Sequence, residues 1–241
     1  HITILMVRLV GSSKDEESTV AGVMNMFIRN IWDSMAVELE NVINGENNIT
    51  TLYDIKNLKS STDESGSSGT GGYEIDVDGF VHYYQSDYAY VPYCEKTLAE
   101  RGCGPTAFAM VATTILGKSI TPEDAVTWCG RTYSVDGVGT LWSYFAAAKK
   151  HFNLPGTITE TGDINQVVAA MKTGALVISS QGPGLFTTSG HFIVLAYIDD
   201  NEGIVVKDPS KNNAVNKGYN GRIFSTEEIN EHAKNYWIFS R

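Results

Sequence analysis

Residues 101–110 of this 241-residue chain have the sequence Arg101-Gly102-Cys103-Gly104-Pro105-Thr106-Ala107-Phe108-Ala109-Met110. Proline is favoured in the first turn of a helix, and Phe108, Val111 and Ala112 follow at helical spacing. The pattern predicts a loop that delivers Cys103 to the N-terminus of a buried helix. Free backbone N–H groups there favour an anion, which would make the thiol acidic and nucleophilic. The alternative is a small buried cysteine that packs beneath the helix.

The composition of the chain excludes several classes of function. Its 28 acidic residues outnumber the 18 basic ones, and the net charge of −10 would repel a phosphate backbone. We therefore expect no nucleic-acid partner. The hydrophobic fraction of 42% is sufficient for a core. No segment approaches the roughly 20 consecutive apolar residues that a membrane-spanning helix needs.

The cysteines do not form a disulfide framework, because there are three of them in a long chain. Cys94 and Cys129 are interpreted as structural thiols, and a bridge between these two stays open. Neither has metal-ligand spacing with Cys103. The sequence therefore predicts no metal and no cofactor.

A Ser/Gly-rich segment divides the chain. Residues 60–72 have the composition of a linker, polar and with nothing to bury. We predict a helical segment in residues 1–59 and a main domain in residues 73–241. An apolar face within residues 15–44 favours packing on the main domain, with an assembly or inhibitory role as alternatives. The apolar residues 1–10 could form a strand, or be a vector remnant or the stub of a membrane or signal segment.

The main domain changes from helices to strands along the chain. After Cys103, further helices are predicted to begin at Thr121-Pro122, Thr140 and Asp163. Aliphatic and aromatic runs of strand length follow. These runs are residues 175–179, 191–197, 204–207 and 236–239. Helices followed by an antiparallel sheet are typical of an α+β fold.

Two residues join Cys103 in the predicted site. His191 begins one strand and Asp208 follows the next, and the turn at residues 199–203 makes the two strands a hairpin. Antiparallel pairing would bring the two side chains together. A histidine held by a carboxylate is oriented and made more basic, as a base for a thiol must be. Taken singly, His191 could be a buried core histidine and Asp208 part of a turn, but the joint pattern favours catalysis.

These motifs together resemble the papain-like cysteine peptidases, and specifically the bacteriocin-processing (double-glycine-peptidase-like) branch with its secreted bacterial relatives. The resemblance rests on Gly102-Cys103-Gly104-Pro105-Thr106, Gly139-Thr140-Leu141-Trp142, Gln181-Gly182-Pro183-Gly184, Ser189-Gly190-His191-Phe192-Ile193-Val194-Leu195 and Val206-Lys207-Asp208-Pro209. It covers roughly Val81 to Arg241 and leaves residues 1–72 unexplained. It implies a papain-like α+β fold, in which a helical half carries the cysteine and an antiparallel sheet carries the histidine and the aspartate.

The resemblance also implies a role for each site residue. Cys103 would be the nucleophile, His191 the general base and acid, and Asp208 the carboxylate that orients the histidine. Gln85 is the only glutamine before Cys103. It would hold the oxyanion together with the backbone N–H of Cys103. The alternative for Gln85 is a structural role in a tyrosine-rich strand.

We therefore expect a cysteine peptidase that hydrolyses peptide bonds through a thioester acyl-enzyme. The expected substrate is a peptide of the bacterial cell surface or cell wall, including peptidoglycan stem peptides. Two alternatives stay open: an amidase or acyltransferase acting on peptidoglycan with the same site, and a catalytically silent domain that only binds peptide. The expected location is extracellular or in the bacterial cell envelope. A membrane tether upstream of the chain and the oligomeric state are open.

Overall fold

The computed structural model describes residues 73–75 and 79–240. The predicted helical segment in residues 1–59 and the linker in residues 60–72 lie outside the described residues. The division of the chain into domains therefore stays a prediction. Within the described residues, no helix has both the length and the apolar character needed to cross a membrane.

The centre of the fold is a six-stranded antiparallel sheet. Its strands are rich in β-branched and aromatic residues, which fit the half-buried pleated surface of a sheet. In spatial order the strands are β11 (Ile223–Phe224), β10 (Ile204–Lys207), β9 (His191–Ile198), β8 (Leu176–Gln181), β12 (Ala233–Ser240) and β7 (Thr157–Thr161). All neighbours in this order are antiparallel.

Three small two-stranded pairs accompany this sheet in the part of the chain that the structure describes. They are β1 (Tyr73–Ile75) with β2 (Val81–Tyr83), β3 (Pro92–Tyr93) with β4 (Lys96–Thr97), and β5 (Ser134–Val135) with β6 (Gly139–Thr140). The β3–β4 and β5–β6 pairs flank the sequence of the cysteine helix and lie outside the main sheet.

The helices are short except for the one that begins at Cys103. Their bounds are α1 (Leu98–Arg101), α2 (Cys103–Leu116), α3 (Pro122–Thr127), α4 (Ser143–His151), α5 (Ile164–Met171) and α6 (Thr226–Asn230). Residues 104–113 of α2 are all buried, so this helix is enclosed on every side and packs against β8 and β9. It ends at Gly117, whose φ of 60° is left-handed and suits glycine. Helices together with an antiparallel sheet confirm the predicted α+β class.

The sheet separates two hydrophobic cores, because successive side chains of a strand point to opposite faces. Ile178 and Val194 belong to the core that contains α2. Val177 and Ile193, one residue away in each strand, belong to the core on the α5 and α6 side. Phe108 of α2 lies at the centre of the first core. The cysteine helix is therefore held against one face of the sheet by a continuous apolar contact.

A β-bulge interrupts the pairing between β9 and β10. Val205 lies opposite Tyr197, but the next residue, Val206, lies opposite Leu195. Ala196 is therefore an extra residue in β9. A bulge increases the local twist and re-aims the side chains that follow it. Asp208 comes directly after the end of β10, on the far side of this bulge.

The structure corrects one helix prediction and adds one strand. The prediction that Thr140 begins a helix is wrong: it lies in β6, its hydroxyl is hydrogen-bonded to that of Tyr93 at 2.8 Å, and α4 begins at Ser143. A tertiary contact thus uses the hydroxyl that would have capped the helix. Strand β7 is additional, because Thr157–Thr161 is an edge strand with mostly exposed side chains and no apolar run.

Candidate active site

Cys103 is the first residue of α2, and it lies between two glycines that have no room for a side chain. A Cβ at Gly102 would lie 2.4 Å from the backbone oxygen of Leu98, and a Cβ at Gly104 would lie 2.6 Å from Oγ1 of Thr140. Both glycines therefore allow close approach of neighbouring chain segments. Strand β6 packs against the first turn of α2 as a result, and Cys103 stays partly exposed.

His191 lies between Cys103 and Asp208. Its Nε2 is 2.6 Å from Oδ1 of Asp208, and its ring also interacts with the sulfur of Cys103. Because Asp208 occupies Nε2, Nδ1 is the ring nitrogen left for the sulfur. Only 10% of the His191 side chain and 1% of the Asp208 side chain are exposed. The structure thus brings together the three residues that the sequence selected, and little water competes for their hydrogen bonds.

The ionisation of Cys103 and His191 is coupled. Burial by itself raises the pKa of Cys103, but the hydrogen bond and charge of His191 and the N–H of Phe192 bring it below its ordinary value. Burial by itself lowers the pKa of His191, whereas the charge of Asp208 and the hydrogen bonds to Asp208 and Cys103 raise it to about 10. The imidazolium of His191 therefore persists through neutral pH, and the lowered pKa of Cys103 favours the thiolate, which is the nucleophilic form of a cysteine.

The pKa values of the other two cysteines shift in the opposite direction to that of Cys103. Burial raises the pKa of both Cys94 and Cys129. All three thiols are free, so the open question of a bridge between Cys94 and Cys129 is answered in the negative. Among residues 79–240, no three His, Cys, Asp or Glu side chains come together as a metal site.

Four hydrogen bonds from four residues hold Asp208. Its Oδ1 accepts from His191 and from the backbone N–H of Ser210 at 2.7 Å, and its Oδ2 accepts from Nδ2 of Asn213 at 2.8 Å. Its backbone oxygen accepts from Nε2 of His82 at 2.8 Å. Asn213 and His82 were not predicted as site residues from the sequence. No motif marks either residue, and His82 is 126 positions away from its partner.

Gln85 links the segments that carry Asp208 and Cys103. It begins a single 3-10 turn, Gln85–Tyr88, and its backbone N–H donates to the oxygen of Pro209 at 2.9 Å. Its side-chain Nε2 donates to the oxygen of Ala99 at 2.8 Å, in the helix just before Cys103. Its Oε1 is buried and has no hydrogen-bond partner among the described residues. Binding of an oxyanion by Gln85 stays a prediction.

The chain is similar to known peptidases. Residues 77–238 match the Peptidase_C39 like family. A crystal structure of the peptidase domain of Streptococcus ComA, a bi-functional ABC transporter involved in a quorum-sensing pathway, is 18% identical, with a TM-score of 0.42 over 62% of this chain and 94% of that chain. A crystal structure of a C39-like peptidase from Bacillus anthracis is 17% identical, with a TM-score of 0.41 over 64% and 94%. No curated protein matches the chain.

The family match covers more than half of the chain and includes Gln85, Cys103, His191 and Asp208. It confirms the resemblance that the motifs indicated and the papain-like version of the α+β fold. The chain therefore belongs to the Peptidase_C39 like family, within the papain-like cysteine peptidases.

Proposed function

We propose that the protein cleaves peptide bonds, with Cys103 as the nucleophile, His191 as the general base and acid, and Asp208 as the orienting carboxylate. One observation carries the proposal: the imidazole of His191 lies between the thiol of Cys103, with which it interacts, and the buried carboxylate of Asp208, to which it is hydrogen-bonded at 2.6 Å. The lowered pKa of Cys103 and the membership of a cysteine peptidase family support it further.

The first half of the reaction forms the acyl-enzyme. The thiolate of Cys103 attacks the carbonyl carbon of the scissile peptide bond, and the carbonyl π electrons move to the oxygen. Collapse of the tetrahedral intermediate breaks the C–N bond, and the imidazolium of His191 gives its proton to the departing amine. The products of this step are a free amine, a neutral imidazole and a thioester on Cys103.

The second half returns the enzyme to its starting state. Neutral His191 takes a proton from a water molecule while the water oxygen attacks the thioester carbon. Collapse of the second intermediate breaks the C–S bond, releases the carboxylic acid and regenerates the thiolate beside the imidazolium. Asp208 holds Nε2 throughout, so the ring keeps its orientation and its tautomer.

The oxyanion of both intermediates would lie at the N-terminus of α2. The backbone N–H of Cys103 has no partner within the helix because it belongs to the first turn. Nε2 of Gln85 carries two hydrogens, and only one of them is needed for Ala99. Two preorganised donors and the positive end of the helix dipole would stabilise the developing charge.

We further propose that residues 73–241 form the peptidase domain, and that its substrate is a peptide of the bacterial cell surface or cell wall. Membership of the peptidase family supports a peptide substrate. The net charge of −10 argues against nucleic acid. An extracellular or cell-envelope location follows from the resemblance to secreted bacterial relatives.

The test compares the protein with its Cys103→Ala variant on a peptide library and on purified bacterial cell wall, with products identified by mass spectrometry. The Cys94→Ala and Cys129→Ala variants are the matched controls, since these thiols have raised pKa values and do not interact with His191. We expect products from the protein and from both controls, and none from Cys103→Ala.

Other outcomes separate the remaining functions. Cell-wall products cut at the amide bond between the glycan and the stem peptide, or products that carry a transferred acyl group, would indicate an amidase or acyltransferase with the same site. No products, with iodoacetamide still modifying Cys103 well below pH 8, would indicate a silent peptide-binding domain. Unchanged turnover in a folded Cys103→Ala variant would show that the nucleophile is misassigned.

A further inference from the structure

Asn213 is a buried polar residue that the reaction steps above do not use. It lies in a single π-helical turn, Asn212–Asn216, that follows Asp208, and its side chain is 4% exposed. Its Nδ2 donates to Oδ2 of Asp208 at 2.8 Å and to the backbone oxygen of Phe186 at 2.8 Å. A side-chain amide carries two N–H donors, and here each of them is used.

The two acceptors belong to different segments of the site. Asp208 follows β10, whereas Phe186 lies in the loop of residues 182–190 that leads into His191. The ring of Phe186 is anchored in the second core by Tyr219 and Phe224, with centroid distances of 5.7 and 5.2 Å. Asn213 therefore connects the carboxylate of Asp208 to the loop of residues 182–190. Phe186 in this loop is buried, and the loop ends directly before His191.

The contact with Asn213 also determines which way the carboxylate is turned. Oδ1 of Asp208 faces Nε2 of His191 and the N–H of Ser210, and Asn213 is the side chain that holds the second oxygen. The side chain of Asp208 is 1% exposed, so water does not readily replace a lost donor at Oδ2. A buried carboxylate oxygen without a donor is costly, and rotation to find another donor would weaken the bond to His191.

We propose that Asn213 is a positioning residue for the site: it fixes the carboxylate of Asp208 and ties it to the loop that delivers His191. The inference rests on the proposed function of Cys103, His191 and Asp208. Without Asn213, the imidazolium of His191 is less well stabilised. The thiolate of Cys103 depends on that imidazolium, so a smaller fraction of the thiol is ionised. The consequence is a Cys103 thiol with a higher pKa and a lower reactivity at neutral pH.

The test measures alkylation of Cys103 by iodoacetamide as a function of pH, because this probe needs no known substrate. Modified Cys103 is quantified by peptide mass spectrometry, which separates it from Cys94 and Cys129. For Asn213→Ala we expect the pKa of the thiol to rise by about one unit, with a roughly tenfold slower alkylation at pH 6. Among the described residues, the ionisable groups in contact with this His191–Asp208 pair are Cys103 and His82.

Two further variants make the test specific. Asn216→Ala removes an amide from the same turn, where it is exposed and bonded only to Asn212, so we expect an unchanged alkylation profile. Asn213→Leu keeps the number and branching of the side-chain heavy atoms and removes both donors, so we expect the same shift as in Asn213→Ala. A cooperative transition in thermal unfolding identifies the variants that are folded.

Each remaining result has a definite meaning. An unchanged thiol pKa in folded Asn213→Ala, or a normal profile in Asn213→Leu, would overturn the positioning role and assign Asn213 to packing. Failure of both Asn213 variants to fold would assign it to folding and overturn the proposal as well. If Cys103 of the unaltered protein does not react below pH 8, the proposed function fails and this inference fails with it. If it does react, only the role of Asn213 is in question.

Discussion

The side-chain nitrogen of Gln85 lies 2.8 Å from the backbone oxygen of Ala99, four residues before Cys103. The backbone of Gln85 is fixed as well, by the bond from its N–H to Pro209. Because an amide group is planar, a hydrogen bond from one of its hydrogens also fixes the direction of the other. Gln85 is thus a rigid donor attached to both segments of the site.

Replacement of Gln85 should separate oxyanion binding from thiol activation. For Gln85→Ala we expect kcat to fall by about 10²–10³, the usual effect of removing one oxyanion donor. Alkylation of Cys103 by iodoacetamide should be unchanged, because that reaction forms no oxyanion. The matched control is Gln166→Ala, an exposed glutamine on α5. Normal kcat with a lowered melting temperature would instead assign Gln85 a structural role.

Replacement of Asp208 by Asn should impair turnover strongly. An amide can still hold the ring of His191, but it favours the wrong tautomer and cannot stabilise the imidazolium. We expect kcat to fall by about two orders of magnitude or more. Asp200→Asn, in the exposed turn between β9 and β10, is the control and should retain full activity. A rate for Asp208→Asn equal to that of the control would remove Asp208 from the site.

The pH dependence of Cys103 reactivity should follow the coupled ionisation of the pair. The thiol pKa is lowered, so alkylation should increase as the pH rises through a pKa below the ordinary one and then level off above it. The pKa of His191 is raised to about 10, so the attraction within the ion pair is lost only as the pH rises through about 10. Protonated His191 therefore stabilises the fold. This contribution is fully present below pH 6.5, the ordinary pKa of histidine, and is lost as the pH rises through about 10.

The alkylation rate and the melting temperature, each measured from pH 5 to pH 10.5, check this prediction. In the His191→Ala variant the rate should instead rise near the ordinary pKa of a thiol, about 8.5. An identical pH profile in the two proteins would show that His191 does not activate Cys103.

Gly104→Ala should destabilise the protein and disturb the site. The new Cβ would lie 2.6 Å from Oγ1 of Thr140, a buried side chain held by Tyr93. Overpacking of this kind costs about 1–3 kcal/mol, which corresponds to a melting temperature lower by about 2–12 °C. Gly190→Ala is the control, since its Cβ would have no neighbour within 4 Å.

A double substitution tests the cause of the Gly104→Ala effect. Thr140→Gly removes the atoms that the new Cβ would contact, so the combined loss of stability should be smaller than the sum of the two single losses. Strict additivity of the two melting-temperature changes would show that contact with Thr140 is not the cause.

Shortening of the chain tests the predicted division into domains. A protein that begins at Gly72 should fold and keep the reactivity of Cys103, because the family match lies within residues 77–238. We expect a melting temperature several degrees lower, since the apolar face predicted in residues 15–44 would pack on the domain. Higher activity of the shortened protein would indicate an inhibitory segment. An insoluble product would show that the boundary is wrong.

The parts of the fold that could be predicted are those with local signals. Pro105 indicated the first turn of α2, Thr121-Pro122 indicated the start of α3, and the aliphatic run from His191 indicated β9. Each of these signals acts through the residue's own backbone or its neighbours in sequence. For the same reason the sequence pattern placed His191 and Asp208 together, because a short hairpin connects them.

The parts that could not be predicted depend on contacts between distant residues. The side chain of Asn213 lies in an irregular turn with no periodic pattern, and His82 reaches Asp208 from a different strand pair. Thr140 has the chemistry of a helix cap, but its hydroxyl is used by Tyr93 across 47 positions. In each case the deciding contact exists only in the folded chain, and for Thr140 it overrules a local preference.

The bulge at Ala196 has a consequence for how the active site is encoded. Residues directly opposite one another in an antiparallel pair share a face of the sheet. Lys207 lies opposite Val194, and continuation of that register places Asp208 opposite Ile193. Ile193 shares its face with His191, two positions away in β9.

If Ala196 paired in the regular ladder instead of forming a bulge, Val206 would lie opposite Ala196, and Asp208 would lie opposite Val194, on the face of the sheet that points away from His191. The catalytic arrangement therefore depends on a strand that accommodates one unpaired residue, and not only on the identity of the residues that react. A deletion of Ala196 would leave Lys207 opposite Val194, whereas loss of the bulge with Ala196 retained would turn Asp208 to the other face without altering a single atom of the reacting side chains.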